Sequence, residues 1–178
     1  PAGLVCTGAN ALGFAASLMA RSGLLAWWSL AETAGATTVA DSIGGANGTV
    51  AGSITFGSAA LAPGLRTSAC FTSSGVVTTT FLQSAWSAAT VGAWFRTSSG
   101  TGVFFETRGP ASTFQHGFSL TMSGGMPAFQ LDSDGLLEGR RTASSSANGS
   151  THFVVGTYSG SGLAAASQFT MYIDGAAV

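Results

Sequence analysis

Residues 90–96 read Thr-Val-Gly-Ala-Trp-Phe-Arg. Val91, Ala93 and Phe95 recur at every second position, so in an extended chain they point to one side while Trp94 points to the other. Large apolar groups on both faces predict a strand in a central position between layers. Working outward, the chain after Gly23 keeps this character, with short runs rich in Val, Thr, Phe, Tyr and Trp between Gly, Ser and Asn clusters. Strands are predicted over 24–30, 49–56, 69–71, 76–79, 89–97, 102–108, 117–122, 126–131, 152–158 and 168–173. The pattern predicts an all-β fold, a two-sheet antiparallel sandwich or jelly roll. Between Leu131 and His152 the stretch LDSDGLLEGRRTASSSANGST is polar and reads as a long loop or a weak hairpin.

The first residues differ. Asn10 is placed to cap a short helix, Leu12, Ala15, Ala16 and Met19 follow helical spacing, Arg21 falls in the last turn and Gly23 supplies a stop. The spacing predicts a helix over 11–21, with Phe14 and Leu18 widening its apolar face. Residues 1–23 therefore read as an uncharged-to-apolar arm and 24–178 as one β domain, with Leu12, Phe14, Leu18 and Met19 as candidate assembly residues. Gly3, Thr7, Gly8, Asn10, Gly13 and Ser17 interrupt the run that a membrane span needs, and a start at Pro1 fits a chain that has lost its initiator Met.

Composition narrows the function. Charged residues are 7% of the 178, against about 25% in ordinary soluble domains. All six basic residues are Arg, and the net charge of −1 leaves no footprint for nucleic acid or an acidic membrane. So weakly charged a surface does little to repel its own copies, which favours assemblies. Cys6 and Cys70 are too few for a disulfide framework or a zinc site; two buried thiols is the first reading and one bridge the second.

Three pieces line up in order. LLAWWSLAETAGATTVADSIGGANGTV at 24–50 joins a Trp-bearing strand to a loop ending in Asn-Gly-Thr; TVGAWF follows at 90–95; FVVGTYSG and FTMYIDG close the series at 153–160 and 169–175. Their order and spacing resemble the laminin-G-like, concanavalin-A-like jelly-roll superfamily over residues 24–178. The resemblance implies two antiparallel sheets packed face to face, one concave, with ligands held by rim loops or on the concave face. Two departures stand out. His152-Phe153 occupies a place where relatives usually have Trp, and the sequence stops soon after Asp174-Gly175 where relatives continue into further strands. Either something else completes the sheet or the natural chain is longer.

Candidate sites follow from both readings. In the opening loop, Glu32 and Asp41 serve first as solvating groups of a connection with turns at Gly35, Gly44 and Gly45. The functional alternative is calcium, a hard cation for which Asp41 and the Asn47 side chain are the candidate ligands and Glu32 the next. The resemblance supports that alternative, since some relatives hold calcium in such loops; no cofactor is required. Asp132, Asp134 and Glu138 lack the alternating spacing of a glycosidase pair, and Asp-Ser-Asp-Gly reads as a turn. His116 and His152 have no partners at metal-ligand spacing and read as strand-end polar groups. Arg140-Arg141 is a solvated basic pair or a contact for an acidic glycan or partner. Trp86, in the polar stretch QSAWS, is the candidate stacking ring for a glycan, while of the adjacent Trp27 and Trp28 at least one belongs to the core.

The expected function is non-enzymatic: a structural or adhesive component of a virion or surface assembly, partnered by copies of itself or another surface protein. Proteins of this look, rich in Gly, Ala, Ser and Thr, include capsid decorations and fibres of tailed bacteriophages. The alternative is a free carbohydrate-binding lectin module using rim-loop calcium.

Overall fold

The computed structural model describes residues 19–62, 65–72, 74–81, 88–107, 117–133, 136–142, 144–159 and 168–178, and the side chains of 131–142 are left undescribed. Leu12, Phe14, Leu18 and most of the expected helix lie outside the described residues. Met19 is exposed, and Arg21 to Leu24 form a turn, with Gly23 at φ 89° where the stop was expected.

The described residues are all-β, in antiparallel sheets. They divide between two compact units, Pro1–Phe81 and Leu82–Val178. In the first unit, β1 (Thr38–Val39), β2 (Gly48–Ala51) and β5 (Val76–Thr79) form a three-stranded sheet in the order β1-β2-β5. A separate pair joins β3 (Ile54–Ser58) to β4 (Ser68–Phe71). The strand expected over 49–56 is thus two strands in different sheets, broken where Gly52 turns the backbone to φ 68°. Val39 and Phe56 are the unit's large buried apolar side chains among the described residues. Cys70 is exposed on β4, not buried as expected, and Cys6 lies outside the described residues.

The second unit holds two four-stranded sheets. One is a meander of β7 (Thr101–Glu106), β8 (Gly117–Ser123), β9 (Met126–Ser133) and β10 (Leu136–Thr142). The other has the order β13-β12-β11-β6, built from β6 (Ala88–Arg96), β11 (Thr151–Ser159), β12 (Phe169–Ile173) and β13 (Ala176–Ala177). Phe95, Phe118, Leu120, Met122, Phe129, Val154, Tyr158, Phe169 and Met171 from both sheets make one core, with Ala89, Val91 and Ala93 packed against it. Burying each large apolar side chain stabilises by about 1.5–3 kcal/mol, which makes this face-to-face contact the main source of the unit's stability. The expected alternation in β6 therefore holds: Val91, Ala93 and Phe95 share the inner face.

Within its sheet β6 is not an inner strand. It lies at the end of its sheet order, and Trp94 on the opposite face stacks on its cross-strand partner Phe153 at 4.8 Å between centroids. The strands buried on both faces are β8 and β9, where Phe118, Leu120 and Phe129 alternate with buried Ser119, Ala128 and Gln130. The stretch after Leu131 contains a full strand, β10, paired along β9 with an irregularity around Glu138; Asp134 and Gly135, expected in a turn, lie outside the described residues. No helix among the described residues is long and apolar enough to cross a membrane.

Candidate functional site

Two polar constellations stand out, one in each unit. In the first, Trp28 and Asp41 form an isolated antiparallel bridge, and Asp41 is buried. Its Oδ1 accepts the N–H groups of Trp27 at 2.9 Å and Ile43 at 3.0 Å. Its Oδ2 accepts those of Gly44 and Ala46, both at 3.0 Å. Asn47 closes the loop from the other side, its Oδ1 accepting the Asp41 N–H at 2.9 Å. Trp28 donates its indole N–H to the Ala46 carbonyl at 2.9 Å and sets its ring edge-on to Phe81. Burial pulls the Asp41 pKa upward, but the four backbone donors outweigh it and hold the carboxyl below its ordinary 3.8.

For the calcium expectation at Asp41 and Asn47, this geometry shows how the candidate oxygens are engaged. A cation needs oxygen lone pairs turned towards it. Here both carboxylate oxygens and the Asn47 oxygen face N–H protons, whose positive ends repel a cation. Glu32 accepts the Ala40 N–H through Oε1 at 3.1 Å, and its Oε2 is buried with no hydrogen-bond partner among the described residues. Among the described residues no three His, Cys, Asp or Glu side chains group as metal ligands. Calcium and chelators are therefore expected to leave the melting temperature unchanged, because a ligand stabilises only by binding the folded state. A rise with calcium that Asp41→Asn abolishes would instead establish the cation reading.

The second constellation went unnoticed in the sequence. His152, near the start of β11, places Nδ1 2.7 Å from Asp174 Oδ2 and Nε2 3.1 Å from Asn148 Oδ1. Asp174 Oδ1 accepts the Phe153 N–H at 2.8 Å. Asp174 and Gly175, at φ 51° and 86°, make the two-residue turn between β12 and β13, as the Asp-Gly pair suggested. Burial raises the Asp174 pKa, but the hydrogen bond from His152, the Phe153 N–H and the His152 charge together bring it below 3.8. A His–Asp pair invites comparison with a catalytic triad. Nε2, the nitrogen that would activate a nucleophile, instead faces the Asn148 carbonyl oxygen.

Other expected site residues contribute less. Trp86 and His116 lie outside the described residues, and Arg140 and Arg141 sit on β10 opposite Gln130 and Phe129. Comparisons with protein-family models, with curated proteins and with solved structures found no match.

Proposed function

We propose that the chain is a non-enzymatic structural or adhesive component of a virion or other surface assembly, built on a laminin-G-like jelly roll. One observation carries the reading: large apolar side chains stand on a surface with almost no charge. In the first unit Leu25 (51% exposed), Phe71 (42%) and Val76 (49%) are open to solvent; in the second, Val103 (59%) is. Val103 and the exposed Met126 share the outer face of the β7–β10 sheet, since Val103 lies across from Thr121 and Thr121 from Ala128. Apolar groups in such numbers favour contact with a partner, and a net charge of −1 offers no repulsion between copies.

The strand order supports the jelly-roll part of the proposal. The chain leaves β6, completes the β7–β10 meander in the other sheet and returns to pair β11 against β6. Switching sheets around an enclosed meander is how antiparallel sandwiches of this class are wound. Placement among bacteriophage virion proteins rests on the sequence resemblance, as does the assembly role of Leu12, Phe14, Leu18 and Met19.

Light scattering on the purified chain tests the proposal. A defined oligomer is expected, and Val103→Thr with Met126→Thr, or deletion of residues 1–23, is expected to reduce it while far-UV circular dichroism stays β-type. A monomer at every concentration, which also fails to bind any virion or surface scaffold, would refute it.

A further inference from the structure

The network around His152 contains its own proton count. The Asn148 oxygen that faces Nε2 also accepts the Ser150 backbone N–H at 2.8 Å. A backbone N–H can only donate, so this bond fixes which end of the Asn148 amide is the oxygen. On the other side Nδ1 faces a carboxylate, which at neutral pH is purely an acceptor. Both ring nitrogens therefore meet acceptors. A neutral imidazole carries one N–H and would set its remaining lone pair against an oxygen lone pair; an imidazolium donates to both.

We propose that His152 is a proton-operated latch, whose doubly protonated ring ties the loop before β11, through Asn148, to the β12–β13 turn, through Asp174. The ring lies only 15% exposed beside Phe95, its cross-strand partner on β6. Asp174 is the charged group facing it from the β12–β13 side. On β6 the nearest charge is the exposed Arg96, opposite Thr151, and the described loop residues 144–150 carry none. On losing a proton the ring keeps the bond to the charged partner, Asp174, and gives up Asn148, so the loop end opens first.

The sign follows from the bonds. The Asn148 tie is present while the ring carries both protons and is lost when rising pH removes one of them. The Asp174 end weakens only below its own lowered pKa, beneath 3.8. The latch is closed while the ring holds both protons and Asp174 stays ionised.

Nitrogen-15 NMR of the His152 ring in the full chain, with amide hydrogen exchange from pH 5 to 8.5, tests this. The ring is expected to carry protons on both nitrogens at pH 5. As it titrates, Ser150 amide protection should fall about threefold to tenfold, the loss expected for one net hydrogen bond. Asn148→Asp, which makes the second acceptor a carboxylate, should move the transition to higher pH. Asp174→Asn should move it lower, and Asn tolerates the positive φ at that position. A ring with a single proton at pH 5, Ser150 protection indifferent to the ring's titration, or shifts of the opposite sign in the two variants would overturn the latch.

Discussion

Gly156→Ala is expected to lower the melting temperature by about 10–20 °C. Gly156 lies in the middle of β11, paired with Val91 on β6 and Met171 on β12, and a Cβ there would point into the opposite sheet. It would come within 2.7 Å of both Cβ and Cδ1 of Phe129 and closer still to Cγ. The ring has nowhere to go: Phe129 is fully buried, stacked on Phe118 at 5.6 Å and edge-on to Phe169 at 5.8 Å. Overpacking of this kind costs about 1–3 kcal/mol and occasionally more, and two strand partners keep the β11 backbone from yielding. Phe129→Ala alone should cost about 3–5 kcal/mol through its cavity. Combined, the two should cost clearly less than their sum, because each relieves the defect of the other. Additive losses in urea titrations would mean that the sheets do not meet at this pair.

Asp41→Asn is expected to cost about 3 kcal/mol at neutral pH, more than its near-identical shape suggests. The replacement turns one oxygen into an NH2 group that must face two of the four backbone donors, Trp27 and Ile43 or Gly44 and Ala46. Several charge-assisted bonds are lost together, though water can reach a loop and soften the sum. The dependence on pH separates this from a simple packing defect. A carboxyl whose folded pKa is depressed stabilises above its unfolded value and loses that contribution as pH falls through the folded one. The gap between wild type and Asp41→Asn in thermal melts should therefore be full at pH 7 and narrow below about pH 3.9. A gap independent of pH would mean that the charge of Asp41 does not hold the loop.

Much of the strand pattern was legible, and its failures have separate causes. The run 76–79 is β5 residue for residue, and 126–131 and 152–158 fall inside β9 and β11. β-Branched content marks 76–79 and 152–158, and a short apolar run marks 126–131. β10 realises the weak-hairpin reading of the stretch after Leu131 and not the long loop; Leu-Leu-Glu-Gly-Arg-Arg-Thr shows no period of two, and its pairing comes from its partner β9. The run 24–30 looked like a strand and contributes only the Trp28 bridge, since the Trp27 N–H goes to a side-chain carboxylate and not to a neighbouring strand. The role of Asp41 depends on which amides surround it, and composition shows the carboxylate without the amides. His152 and Asp174 are 22 residues apart, and only the register that sets Val154 against Ile173 brings them together. Asp174-Gly175 was visible as a turn, but nothing in it announced a shared histidine.

The pairing of β6 with β11 also sets a timetable for synthesis. Arg96 pairs with Thr151 and Ala88 with Ser159, and the whole β7–β10 meander is encoded between them. At ribosomal rates of about 5–20 residues per second, β6 waits roughly 3–14 s for its partner. Throughout that interval the Val91, Ala93 and Phe95 face has the meander to lean on but no hydrogen-bonded neighbour along its edge. Nascent chains on adjacent ribosomes meet each other in the same seconds, so the time before β11 emerges is when this strand is most open to pairing with the wrong molecule.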